Sequence, residues 1–133
     1  MYSFTSIEQY QADLYSGRTT CEQAVRHFLS QIEQHRSLNA FVEVFAEEAI
    51  NRAIQLDQGE RKGKLHGVVI GIKDNLCYKG HQVSAASGIL QDFTSLYSAT
   101  AVERVLIEGA IIIGRQNCDE FGMGSTNENS FYG

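Results

Sequence analysis

At 133 residues, 43% of them hydrophobic, the chain has the length and apolar content of about one ordinary domain. Eleven Lys and Arg against sixteen Asp and Glu give a formal net charge of −5, and no basic block exceeds the RKGK of Arg61–Lys64, which argues against direct nucleic-acid binding and leaves any RNA contact to a partner. The three cysteines, Cys21, Cys77 and Cys118, are far apart, odd in number and without metal-ligand spacing, so a reduced, cytoplasmic setting is expected; no signal-peptide pattern or apolar run near about 18 residues points to export or a membrane span.

Glycine divides the chain. Only Gly17 precedes residue 59, and the other eleven glycines lie from Gly59 onward, with no proline anywhere. Residues 1–64 therefore read as mainly helical and residues 65–133 as the start of an α/β core whose tight turns depend on glycine.

In chain order, Thr5 with Glu8 fits a capping box, and Ile7, Tyr10 and Leu14 share a face, predicting a helix over 6–16 that Gly17 ends. Thr19 with Glu22 predicts a second helix over about 20–34, with Val25, Phe28, Leu29 and Ile32 at the helical period. Asn39–Phe45 alternates as a short strand, and Glu47–Asp57 resumes a helical pattern through Ala49, Ile50, Ala53 and Ile54. Gln58–Lys64 is a polar, solvated connector. Val68–Ile72 is a continuous apolar run suited to an interior strand. Cys77–Tyr97 is expected to be a structured loop around a site, because Val83, Ile89, Leu90 and Phe93 are spread through it. Thr100 with Glu103 makes a third capping box, opening a helix that Gly109 stops, and Ala110–Ile113 is a second buried strand. Strand, loop, helix, strand is an α/β arrangement with the two strands parallel. The C-terminal MGSTNENSFYG stops inside a Gly/Ser/Asn-rich segment, which suggests a truncated product or a partial record.

Each strand hands over to a polar cluster. Lys73, Asp74 and Asn75 follow the first; Arg115, Asn117, Asp119 and Glu120 follow the second, with Gly122, Gly124, Ser125, Thr126, Asn127, Glu128, Asn129 and Ser130 beyond. Parallel strands bring both clusters to one edge of the sheet, where open α/β sheets place ligands. A Lys beside a Ser can take the hydroxyl proton and create a nucleophile, yet Ser84, Ser87, Ser125 and Ser130 lie in flexible-looking sequence without a recognised nucleophile setting. An exposed Lys-Asp-Asn turn is the competing reading. Gly67–Lys73 lacks the spacing and the Ser or Thr of a phosphate loop. Asp119 and Glu120 suit acid/base work, a magnesium ion or simply a helix cap.

LHGVVIGIKDN (Leu65–Asn75) followed by AIIIGRQNCDEFGMGSTNENSFYG (Ala110–Gly133) resembles the N-terminal portion of the amidase signature family, and most of all its branch of tRNA-dependent amidotransferase A subunits. The resemblance implies an incomplete amidase signature fold: N-terminal helices, then part of a central mixed sheet covered by helices. It implies a Ser-cis-Ser-Lys triad in which Lys73 is the catalytic Lys and both serines belong to a later segment, so that this stretch alone is inactive. It further implies that Met123, Gly124 and Ser125 line the substrate pocket, while Asp74, Asn75, Asp119, Glu120, Asn127, Glu128, Asn129 and Ser130 support the site. Glutamine is the implied ammonia source, the B and C subunits of a heterotrimer are the implied partners, and tRNA is held mainly by the B subunit, with ATP and Mg2+ used by the complex but not bound by this segment. A general amidase of the same family and a noncatalytic interaction domain are the alternatives. Three positions depart from the family pattern: Val69 where Pro is frequent, Gly88 where Lys is frequent, and Arg115 where Lys is commoner.

Overall fold

The computed structural model describes residues 6–133; of the expected Thr5–Glu8 capping pair, Thr5 lies outside the described residues. Helix α1 spans Ile7–Tyr15, and the Ser6 side chain caps it by accepting from the Gln9 N–H at 3.1 Å. Helix α2 spans Cys21–Gln34. Its cap is Thr20, which accepts from the Gln23 N–H at 3.1 Å, rather than the expected Thr19. The shift has a physical cause: the Asp57 carboxylate accepts from the Cys21 and Glu22 N–H groups at 2.8 and 3.0 Å, and so satisfies two more donors of that first turn from outside.

Strand β1 spans Phe41–Val44, helix α3 Ala46–Gln58, strand β2 Val69–Lys73, helix α4 Thr100–Ile107 and strand β3 Ile111–Gln116. The third expected capping box does not form, because Thr100 is already the first helical residue and Ala99 precedes it without a side-chain bond. Gly109 ends α4 at φ +88 as expected, with its N–H bonded to the Leu106 carbonyl.

The sheet is mixed, in the order β1-β3-β2. β2 and β3 run parallel, Val69 opposite Ile111 and Lys73 opposite Gln116, whereas β1 runs antiparallel to β3. Interior and edge differ from expectation. β3 has a neighbour on each side and buries five of its six residues; β2, expected to be the interior strand, stands at the edge of these three with Val69, Ile70 and Gly71 half-buried.

Successive residues of β3 point to opposite faces, which builds two cores. On one face Ile111 and Ile113 meet Tyr10, Leu14, Cys21, Ala24, Val25, Ala49 and Ala53 of the first three helices. On the other, Ile112 joins Ile72, Phe45 and Val102 of α4. Two glycines make the layers fit. Gly67 holds φ +77 where a Cβ would lie 2.6 Å from Cys21 Sγ, and its carbonyl accepts from the Tyr10 hydroxyl at 2.9 Å, locking α1 onto the entry to β2. At Gly114 a Cβ would meet the Phe41 ring at 2.9 Å, so a small residue is required where β1 closes on β3.

Candidate active site

Parallel pairing puts the C-terminal ends of β2 and β3 side by side, as the two polar clusters required. Lys73 is the last residue of β2 and is exposed. The chain then turns under the control of two backbone bonds: the Asp74 N–H donates to the Gln116 carbonyl at 3.0 Å and the Leu76 N–H to the Lys73 carbonyl at 2.9 Å.

Asp74 points inward and is fully buried. One carboxylate oxygen accepts from the Ser84 N–H at 3.1 Å and from Arg115; the other accepts from the Ala86 N–H at 2.7 Å and the Ser84 hydroxyl at 2.6 Å. The loop that supplies these donors holds Ala85 and Ala86 in the left-handed region, at φ 50 and 52. Two consecutive non-glycine residues there are strained, and the ring of charge-assisted bonds to Asp74 offsets the strain. Arg115 lies 2% exposed between Asp74 and Glu43, whose carboxylate is 3.3 Å away. Burial disfavours the guanidinium charge, but the hydrogen bond and charge of Asp74, with Glu43 and Tyr132, outweigh it and raise the Arg115 pKa.

The segment after β3 repeats the device. Asp119 is buried, and its carboxylate accepts from the Asn129 and Asn127 N–H groups at 3.1 and 3.0 Å. These bonds, Asn129 first, hold its pKa below the usual carboxylate value, with a smaller contribution from the charge of Lys73. Gly124 passes so close to this carboxylate that a Cβ would run into it. Gly122, at φ +70, lies against the lysine: a Cβ there would sit 3.5 Å from Lys73 Nζ and 3.0 Å from Asn75 Nδ2.

The two devices interlock. The Phe121 and Phe131 N–H groups donate to the Ala85 and Ala86 carbonyls at 2.8 and 2.9 Å, Ser87 donates to Glu120 at 2.6 Å, and the Ser84 and Tyr132 hydroxyls stand 2.8 Å apart. Ser130 donates to Asn117 Oδ1 at 2.5 Å, and the Glu120 N–H to the Asn129 carbonyl at 2.7 Å. Lys73, Asp74, Asn75, Asp119, Glu120, Asn127, Asn129 and Ser130 thus belong to one assembly. Met123, Gly124 and Ser125 stand exposed on the loop beyond Gly122, and Glu128 is exposed and bonded to Thr126 at 2.7 Å.

Ser84 and Ser87, which look flexible in sequence, are 2% and 0% exposed and hydrogen-bonded. Their hydroxyls serve the loop and are committed to Asp74 and Glu120. Sequence reasoning weighed Ser84 only as a nucleophile and did not single out Ala86 or Tyr132, and for an Ala-Ala pair in left-handed geometry there is no compositional signal. The two buried carboxylates are engaged by backbone N–H groups, the Ser84 hydroxyl and Arg115. A cleft of about 710 Å³ lies elsewhere, lined by Glu48, Arg52 and Gln55 of α3 with Tyr78, Leu106 and Ile112. Among the described residues no helix is long and apolar enough to cross a membrane.

The amidase family model matches residues 23–133. The A subunit of glutamyl-tRNA(Gln) amidotransferase from Chlorobium phaeobacteroides is 43% identical over 134 residues, an alignment that covers 98% of this chain and 28% of the relative. A crystal structure of an amidase superposes with a TM-score of 0.88 at 26% identity, over 97% of this chain and 30% of the other. The A subunit of glutamyl-tRNA(Gln) amidotransferase from Thermotoga maritima superposes with a TM-score of 0.66 at 31% identity, over 83% of this chain and 23% of the other. This chain therefore spans little more than a quarter of the relatives it matches, and over that span it belongs to the amidase signature family.

Proposed function

We propose that this segment is the lysine-bearing part of a glutamine-hydrolysing amidase subunit, which supplies ammonia for converting Glu-tRNA(Gln) or Asp-tRNA(Asn) to the amidated forms. The observation that carries the reading is the convergence of Lys73, at the end of β2, with the loop of Gly122 to Ser130 on one sheet edge. The 43% identity to the A subunit of an amidotransferase gives the substrate class. In this reading the nucleophilic serine, supplied by the rest of the polypeptide, attacks the side-chain amide carbon of glutamine. Its proton passes through the bridging serine to Lys73 and then to the leaving nitrogen. Ammonia departs, and water hydrolyses the acyl-enzyme to glutamate. Met123, Gly124 and Ser125 line the pocket, and Asp74, Asn75, Asp119, Glu120, Asn127, Glu128, Asn129 and Ser130 hold the frame. Because this segment holds one member of the triad, it is inactive alone.

The B and C subunits of the amidotransferase are the proposed partners in a cytoplasmic complex. The net charge of −5 accords with tRNA being bound mainly by the B subunit, where ATP and Mg2+ activate the tRNA-linked carboxylate. The test is ammonia release from glutamine by the complete polypeptide, with and without the partner subunits. Activity that disappears in Lys73→Ala is expected; Lys73→Ala at wild-type rate, or a reading frame without a GGSSGG-like stretch ahead of a GSDTGG-like one, rejects the reading. A general amidase is the second reading, favoured by the TM-score of 0.88 to an amidase against 0.66 to the amidotransferase chain. Turnover of unrelated amides with none of glutamine selects it.

A further inference from the structure

Residues 117–133 leave the end of β3 and return to it. Asn117, the first residue beyond the strand, donates from Nδ2 to the Gly133 carbonyl at 2.8 Å and to the Asn39 carbonyl at 3.2 Å. Its Oδ1 accepts from the Cys118 N–H at 2.9 Å and the Ser130 hydroxyl at 2.5 Å. The amide thus uses both of its donors and both acceptor positions to close the neck of the loop. A second asparagine closes it from outside: Asn39, two residues ahead of β1, donates from Nδ2 to the Tyr132 and Gly133 carbonyls at 2.6 and 2.8 Å. Its backbone holds φ 50, in the left-handed region that Asn tolerates better than most residues with a side chain. The neck lies next to the lysine in the sheet, because Gln116, which precedes Asn117, is the register partner of Lys73.

We propose that Asn39 is a positioning residue: with Asn117 it fixes the returning arm, Ser130–Gly133, at the sheet edge and so sets where the polypeptide that follows meets Lys73. The inference rests on the reading in which that following stretch carries the serines. The tip of the loop is held by other bonds. Asp119 accepts from the Asn127 and Asn129 N–H groups, so the shape around Met123, Gly124 and Ser125 does not depend on the neck. The returning arm depends on it directly, since the Tyr132 and Gly133 carbonyls are the groups that Asn39 holds. Loosening the neck therefore acts on the distance between lysine and serine more than on the pocket, and a displacement of about 1 Å between reacting groups is enough to cost catalysis heavily. An asparagine suits the task because its amide supplies two donors to two carbonyls from a backbone that is already left-handed; an aspartate of the same shape would set oxygen against oxygen.

The test is steady-state glutamine hydrolysis by the complete polypeptide with its partner subunits, comparing wild type with Asn39→Gly, which keeps the left-handed backbone and removes only the amide, and with the isosteric Asn39→Asp. In both variants kcat is expected to fall about tenfold while KM stays within about twofold of wild type. Labelling of the nucleophilic serine by a sulfonyl fluoride is expected to slow by a similar factor. An unchanged kcat accompanied by an earlier urea midpoint assigns Asn39 to stability alone and overturns the proposal. So does a rise in KM that matches or exceeds the fall in kcat, or a serine labelled at the wild-type rate. Should Asn39→Gly fail to fold, Asn39→Asp is read by the same criteria, and failure of both to fold also overturns it. Full glutamine turnover by Lys73→Ala rejects the functional reading itself, and does so independently of Asn39.

Discussion

Removing the Asp74 carboxylate is expected to cost the fold more than any other single change at the sheet edge. In Asp74→Ala, Arg115 keeps only Glu43, 3.3 Å away and with its side chain 42% exposed, and the buried N–H groups of Ser84 and Ala86 lose their acceptor. Stranding one member of a buried pair costs about 3–5 kcal/mol, with the low end appropriate while Glu43 remains. Each orphaned buried donor adds about 1–3 kcal/mol, reduced where water enters the vacated space. A loss of about 4 kcal/mol is the outcome expected, a large part of the roughly 5–15 kcal/mol that holds a domain folded. Asp74→Asn keeps one acceptor oxygen but no charge, and is expected to lose about 2 kcal/mol. The assay is urea unfolding followed by far-UV circular dichroism, because the chain has no Trp to report by fluorescence. A loss under about 1 kcal/mol in Asp74→Ala, or an Asn variant as damaged as the Ala variant, refutes the assignment of Asp74 as the anchor of the Ser84–Ala86 loop.

Gly67→Ala combines an unfavourable φ of +77 with a Cβ 2.6 Å from Cys21 Sγ and is expected to lose about 2–4 kcal/mol in the same assay, whereas Gly17→Ala, at φ +75 with open space around it, loses about 1 kcal/mol. Burial, then the hydrogen bond and charge of Asp57, push the Cys21 thiol up to about 12, and burial also raises Cys118. A thiol reagent at neutral pH is therefore expected to label the half-buried Cys77 first, and the other two only on unfolding. Burial lowers the His66 pKa from 6.5, although its bond to the Lys62 backbone opposes the shift. The unfolded chain then binds the proton more readily, so the stabilising contribution is complete above about pH 6.5 and declines as pH falls toward the lowered value. His66→Gln is expected to flatten that acid-side loss in unfolding curves recorded between neutral and mildly acidic pH.

The sequence by itself determined the element types and their order. Helical periodicity through Ile7, Tyr10 and Leu14 and through Val25, Phe28 and Ile32 marked α1 and α2, and glycines at 17 and 109 ended α1 and α4 where only a positive φ continues the chain. It also brought Lys73 and the Asp119 segment to one edge, because two apolar runs joined through a helix must pair in parallel. Choices between neighbours were beyond it: Thr20 rather than Thr19 caps α2, since the partner that completes the cap, Asp57, is 36 residues from Cys21 and meets it only after α3 docks. The interior position of β3, the left-handed Ala85–Ala86 pair and the inward turn of Asp74 were likewise decided by tertiary structure. Each depends on long-range partners, Arg115 above all, and a carboxylate's role is set by which donors the fold places around it.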